Sequence, residues 1–344
     1  MARSVLFTTQ RNEGPFLLEW IAFHRLIGFD HFVIVSNDCT DGSDTLLDVL
    51  SQSIGLTHLR QDVPVGQNAQ VLGQQKARET GAFKDGDWVA WMDLDEFLNI
   101  RLGDGTLPEL IARLGPASAI CVNWRLFGSA GVQKWPGLQL DRKFNRCGTR
   151  WHKAAKYCKT LFRFDDSIVD MTVHRPVLSD GVKSPLWLDT NGGPLPQKFI
   201  TCRRANSLPY YRTPQSPRYR WAQVNHYMVR TRQLFVHRRG RGRGSKVGVF
   251  GRSEGSRYTW WHYQKHNCNI LRDSSIHRHL PGLQNEIEKL LADTAVSSAF
   301  ATCLEASGLQ AQSIDLWNLN GDAFGGKDSE EAADGSFRTG TVER

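Results

Sequence analysis

The first fifty residues of this chain alternate between extended and helical patterns, and that order leaves few folds open. Ser4 to Thr9 is a strand-like run that begins almost at the first residue. The turn Gln10-Arg11-Asn12-Glu13-Gly14-Pro15 follows, with proline where a helix start tolerates it. Apolar residues then recur at Phe16, Trp20, Phe23 and Ile27, one face of an amphipathic helix that Gly28 ends. His31 to Val35 is a second strand, Ser36 to Ser43 a polar turn, and Thr45 to Leu50 resumes helical spacing. This β-α-β-turn-α order predicts a parallel α/β sheet. Such sheets bind ligands past the carboxyl ends of their strands, which is where both polar turns fall.

A second short apolar run, Trp88 to Met92, reads as a buried strand and ends in Asp93-Leu94-Asp95-Glu96-Phe97. Residues i and i+2 of an extended strand point the same way, so the two aspartates are expected to converge. Two hard oxygen ligands without a neighbouring cysteine or histidine suit Mg2+ or Mn2+, usually shared with a substrate's phosphates. By itself the pair is a weak signal, because Asp-x-Asp also occurs in plain turns.

Taken in order, Asn12-Glu13, Leu18-Glu19-Trp20, His24-Arg25, Ile27-Gly28, Asn37-Asp38-Cys39-Thr40-Asp41-Gly42 and Asp93-Leu94-Asp95-Glu96-Phe97 resemble the family 2-type glycosyltransferases of GT-A fold. Val173-His174-Arg175-Pro176, Asn225-His226-Tyr227 and Arg238-Arg239-Gly240 extend the resemblance, which covers roughly residues 3 to 250. It implies a GT-A-like, doubly wound, mixed but mainly parallel sheet flanked by helices, with a C-terminal helical appendage. It also implies a metal-dependent transferase that moves a sugar from a nucleotide donor to a glycan or other hydroxyl acceptor, with inversion. On this likeness Asp95 is the direct metal ligand, Asp93 contacts ribose or metal-bound water, and His174 or His226 supplies a further metal ligand. Where the family's turn opens with two acidic residues, this chain has Ser36-Asn37. An amide both donates and accepts and can still read a uracil edge, so a UDP-sugar is the expected donor.

The remaining candidates come from position. Thr8, Arg11, Asn12, Glu13, Asn37 and Asp41 cluster at the first two strand ends and are expected to meet the nucleotide. Asn37 and Asp41 have a competing role as turn formers and helix caps. Inversion needs a carboxylate base near the acceptor hydroxyl. Asp166 is the first candidate, with Asp165, Asp170, Asp180 and Asp189 nearby in sequence. Lys153, Lys156, Lys159 and Arg163 surround that region as diphosphate ligands or as a solvated face. Arg238, Arg239, Arg241 and Arg243 form a Gly-interleaved basic block, expected to be a loop over residues 238–252 that meets diphosphate, acceptor or acidic lipid.

At 344 residues the chain is long enough for a large core, and its 40% apolar content is that of a globular protein. No apolar run approaches the ~20 residues that span a bilayer. Seven scattered cysteines without a C-x-x-C pair argue against structural zinc and a disulfide framework, so a cytoplasmic setting is expected, either free or peripheral at the inner face of an anionic membrane. The formal net charge of +8 is concentrated in the basic block. The expected organisation is a nucleotide-sugar half over residues 1–125, an acceptor and catalytic half over 126–275, helices over 276–324 and a disordered tail over 325–344. Eleven tryptophans add flat faces on which a glycan or lipid-linked sugar acceptor can stack. Two rival readings remain: a basic module for nucleic acid or anionic surfaces, which the acidic pair disfavours, and a non-catalytic sugar-nucleotide binder. A sugar-nucleotide pyrophosphorylase is disfavoured, because the loop after the first strand is not Gly-rich.

Overall fold

The computed structural model describes residues 2–182, 185–202, 208–241 and 259–309, with side chains from 210 to 238 in the third stretch. The first part gives strands β1 (Ser4–Gln10), β2 (His31–Asn37), β3 (Leu56–Gln61), β4 (Trp88–Trp91), β5 (Glu96–Ile100) and β6 (Ala119–Leu126). Helices α1 (Gly14–Leu26), α2 (Ser43–Ser53), α3 (Ala69–Glu79) and α4 (Leu107–Leu114) connect them. The later part adds β7 (Arg146–Cys147), β8 (Cys158–Arg163), β9 (Ile168–Met171), β10 (Pro176–Leu178), β11 (Trp187–Asp189), β12 (Ala222–His226) and β13 (Leu271–Arg272). Its helices are α5 (Gln197–Ile200), α6 (Leu208–Tyr211), α7 (Arg232–Arg241), α8 (Trp260–His266), α9 (Leu280–Leu291) and α10 (Thr294–Ser307).

The central sheet runs in the order β3-β2-β1-β4-β8-β6-β12-β5. β3, β2, β1 and β4 are mutually parallel, as the opening pattern predicts. β8 is antiparallel to both β4 and β6. The far edge of β6 is divided: β11 pairs with residues 119–121 and β12 with residues 124–126. β5 then closes that side antiparallel to β12, with Glu96 opposite His226. The sheet is therefore mixed and mainly parallel, and it runs straight across the boundary expected at residue 125.

Alternation along the strands sorts the core into two faces. Leu6, Ile34 and Ala90 pack with the helices on one side, while Val5, Phe7, Val33, Val35 and Trp91 pack on the other with Ala77 and Phe83. The C-terminal helices join the first face. Arg25 of α1 lies 3.8 Å from Glu286 of α9. Gly14, at the start of α1, must be glycine because a Cβ there would come within 2.6 Å of Cys303 in α10. Within the described residues no helix is long and apolar enough to cross a membrane.

The expected basic loop begins as helix: α7 carries the chain through Arg241. The side chains of Arg239 and Arg241, Arg243 with the remainder of that loop, and the tail from residue 310 lie outside the described residues.

Candidate active site

The carboxyl ends of β1, β2, β4, β6 and β12, and the start of β5 and β8, all meet at one end of the sheet. Asp93 and Asp95 stand there, but not on an extended strand. β4 stops at Trp91, and residues 93–96 form a tight turn in which the Glu96 N–H donates to the Asp93 carbonyl at 2.9 Å. The expected convergence by i, i+2 alternation is corrected accordingly: the two carboxylates engage different cations.

Lys159 of β8 faces Asp93 and Glu96, its Nζ 3.2 Å from Asp93 Oδ2 and 2.9 Å from Glu96 Oε2. Lys159 and Glu96 are buried, whereas Asp93 keeps 35% of its side chain exposed. Burial alone would lower the lysine's pKa, yet the two carboxylates more than offset it and hold Lys159 charged. Burial pushes Glu96 up to about 7 against the pull of Lys159. On the other side, Arg238 of α7 donates to Asp95 Oδ2 at 2.6 Å, and His226 Nε2 lies 3.6 Å from Asp95 Oδ1. Burial would raise the Asp95 pKa, but Arg238 and then His226 outweigh it, and the carboxyl sits well below its ordinary range.

Helix α1 holds this turn in place. Trp20 Nε1 donates to the carbonyls of Asp93 and Glu96, each at 3.1 Å. Glu19 accepts from the backbone N–H groups of Gln139 and Leu140, each at 2.7 Å, and Gln139 Nε2 reaches the Leu94 carbonyl at 3.1 Å. Burial raises Glu19 to about 7, opposed by those two backbone donors. His24 accepts the Leu98 N–H at 3.4 Å, and burial lowers its pKa to about 3. Arg230 ties the first turn to the acidic one, reaching Glu13 Oε2 and the Leu94 carbonyl, both at 3.4 Å.

The turns after β1 and β2 are built differently. Asn12 and Asp38 take left-handed backbone conformations, φ +53° and +43°, which these residue types tolerate. The Asn12 side chain exchanges two hydrogen bonds with Thr40, at 3.1 and 2.8 Å. Asp41 accepts from Gly14 N at 2.9 Å and from Ser43 N at 3.0 Å, so it serves the starts of both α1 and α2. Asn37 is 1% exposed; its Nδ2 donates to the Gln10 carbonyl at 2.8 Å, and its Oδ1 accepts from Gln61. The amide expected to read a base is thus turned inward. Thr8 is wholly buried within β1, and Arg11 is half-buried just past it. Beside these turns a cleft of about 350 Å³ opens between Asn12, Thr40, Asp41, Val236 and His237 of α7, and the end of α10.

The two histidines separate. His226 lies against the acidic turn. His174 is half-buried in an aromatic surround of Trp124, Tyr157 and Tyr211, its Nδ1 2.9 Å from the Cys158 carbonyl, and that partial burial lowers its pKa to about 3. Trp124 lies between them, its ring centroid 4.4 Å from that of His226 and 5.3 Å from that of His174.

The expectation that Asp166 is the base is corrected. β8 leaves the acidic turn at Lys159 and runs antiparallel to β4, pairing Leu161 with Ala90 and Arg163 with Trp88. The turn that follows β8 therefore places Asp165 and the exposed Asp166 at the opposite end of the sheet. Lys159, foreseen only as one of several basic residues, is the missed member of the site. Its signal was present: a lysine between Cys158 and Thr160-Leu-Phe interrupts an otherwise buried strand, and a buried ammonium requires acidic partners.

Among the described residues, no three His, Cys, Asp or Glu side chains converge on a point that would hold a metal ion. The donor types do suit Mg2+ or Mn2+, with two carboxylates and the His226 imidazole at one turn. The buried Glu96 Oε1 and His226 Nδ1, 3.9 Å apart, both lack a hydrogen-bond partner among the described residues.

Fold and site together define a mixed α/β protein with an acidic turn, faced by a lysine and an arginine, at the carboxyl ends of its strands. No family model matches the chain. Over 191 residues, 51% of its length, it is 29% identical to a glycosyltransferase family 92 protein of Oryza sativa subsp. japonica, covering 30% of that protein. Over 103 residues it is 28% identical to a glycosyltransferase family 92 protein of Ricinus communis, covering 17% of it. The matched regions thus span less than a third of either curated relative. Among solved structures it is similar to S. aureus TarS 1–349, at 12% identity and a TM-score of 0.31, covering 55% of this chain and 60% of that one.

Proposed function

We propose that this chain transfers a sugar from a nucleotide donor, a UDP-sugar by preference, to a hydroxyl acceptor. The acidic turn carries the reading: Asp93 and Asp95 stand at the strand ends with Lys159 and Arg238 against them, in a chain similar to family 92 glycosyltransferases over half its length. The nucleoside occupies the cleft beside Asn12, Thr40 and Asp41, which brings its diphosphate toward the acidic turn. Asp93 and Asp95, with His226 beside them, would hold Mg2+ or Mn2+, an ion that when bound neutralises and polarises the departing diphosphate. Arg238 exchanges its partner on donor binding, releasing Asp95 and presenting its guanidinium to phosphate oxygens. Lys159 holds Asp93 and Glu96 in register throughout. The acceptor hydroxyl, giving its proton to a carboxylate base, attacks the anomeric carbon from the face opposite the diphosphate, and the nucleoside diphosphate leaves with inversion.

Calorimetric titration of UDP and GDP, with and without Mn2+, into wild type and Asp95→Ala tests this reading. The expected result is metal-dependent binding of UDP that falls at least about 100-fold in the variant, the scale at which loss of a charged contact registers. Binding that is independent of both the metal and Asp95 would sink the proposal. The configuration of the product's anomeric proton, read by NMR, checks inversion separately.

A further inference from the structure

We propose that a second groove, at the end of β11, binds an anionic sugar and so selects an acceptor that carries acid groups. The groove has a volume of about 490 Å³ and is lined by Arg150, Trp151, Arg218 and Arg220, with the Asn191 and Gln215 side chains among its polar walls. That volume falls within the roughly 300–1,000 Å³ of small-molecule sites.

Three arginines line one groove, and none of them forms an ion pair with a carboxylate among the described residues. The groove's own acid, Asp189, is already committed: its oxygens accept from the N–H groups of Asn191 and Gly193 at 2.8 and 2.9 Å and from the Asn191 amide at 3.2 Å. With three guanidinium groups against one carboxylate, the groove carries a net positive charge. Trp151, 68% exposed, offers a flat apolar face of the sort that stacks on a sugar ring, and Arg150 lies over it at 4.3 Å.

The backbone that presents these cations is held under strain. Tyr219 has φ +54°, a conformation costly for a bulky residue, yet it is buried, with its hydroxyl donating to the Trp124 carbonyl at 2.8 Å and Arg125 over its ring at 5.1 Å. Anchoring Tyr219 inward leaves its neighbours Arg218 and Arg220 exposed in the groove. The opposite wall is tied to the same tryptophan, because Arg150 and Trp151 lead through the short 3-10 turn Lys153–Lys156 to Tyr157, which stacks on Trp124 at 5.1 Å. Trp124 in turn meets His226 beside Asp95. Trp124 therefore contacts the segments that carry both sides of the groove and, through His226, the acidic turn, a connection that suits an acceptor subsite beside a donor site. Arginine forks suit carboxylate and phosphate alike, so the ligand class is a uronate-bearing or phosphorylated sugar.

The assignment as an acceptor subsite rests on the transferase reading; the binding of an anionic sugar does not. The test is a titration of trigalacturonate, glucose 6-phosphate and neutral maltotriose into wild type, Arg218→Ala/Arg220→Ala and Asp95→Ala. Wild type should bind trigalacturonate or glucose 6-phosphate, the preferred probe identifying carboxylate or phosphate, and bind maltotriose at least tenfold more weakly. The double variant should lose tenfold or more for the anionic probe, and rising salt should weaken wild-type binding. Asp95→Ala should bind the anionic probe like wild type while failing with UDP. Equal affinity for the neutral sugar, or an unchanged double variant whose fold is verified by its melting curve, would overturn the groove. Failure of UDP binding in wild type, with anionic-sugar binding intact, would instead count against the donor site alone.

Discussion

The turns after β1 and β2 and the turn after β4 look alike in sequence, since each is a polar cluster placed just past a buried strand. In the structure they do opposite work. Asn12, Asn37 and Asp41 direct their oxygens and amides to backbone groups and to the Thr40 and Gln61 side chains, and they serve to start helices and clamp strand ends. At residues 93–96 Glu96 accepts the Asp93 N–H, but Trp20 and Gln139 hold the turn's carbonyls, so that the Asp93 and Asp95 carboxylates are left to face cations. A polar turn becomes a site when neighbouring elements take over its structural hydrogen bonds.

The largest effect on stability should come from Lys159. Replacing it with methionine leaves Glu96 buried without its cation and should cost about 3–5 kcal/mol in chemical unfolding; a cost below about 1 kcal/mol would mean that Glu96 is neutral without it. Trp20→Phe keeps the apolar bulk but removes the donor shared by two carbonyls. It should lose about 1–3 kcal/mol and weaken UDP binding by loosening the turn. If affinity is unchanged, α1 supports the core and not the site. Asp41→Ala sharpens the contrast from the other side. Loss of a cap should cost about 1 kcal/mol, while UDP affinity, with Asp41 only at the cleft wall and its oxygens committed to Gly14 and Ser43, should fall far less than in Asp95→Ala; a loss as large as that of Asp95→Ala would erase the distinction between the turns.

The smallest effect concerns pH. Glu19 and Glu96 are each raised from 4.5 to about 7, so the folded chain holds their protons more tightly than the unfolded chain does. Between those two values the native state carries the extra protons, and stability falls as pH rises through that window. Glu19→Gln removes one of the two groups and should flatten the slope measured by urea unfolding at about pH 5 and pH 7.5. A variant with the wild-type slope would show that Glu19 titrates normally in place.

Local pattern was sufficient for the parallel half of the fold. The runs at Ser4, His31, Leu56 and Trp88, the helix over Phe16, Trp20 and Phe23, and the strand from Ala119 depend on periodicity that each segment carries within itself. The position of the acidic turn past β4 follows from the same pattern. What each polar residue does there was not legible, because it depends on partners far away along the chain. Lys159 meets Asp93 across 66 residues, Arg238 meets Asp95 across 143, and Asp166 is carried away from the site by the direction of a strand that nothing local specifies. Composition and spacing determined where charge would gather. Only tertiary packing decided which charges meet, because the free energy of a buried ion depends on the partner brought to it, and that partner arrives with the fold.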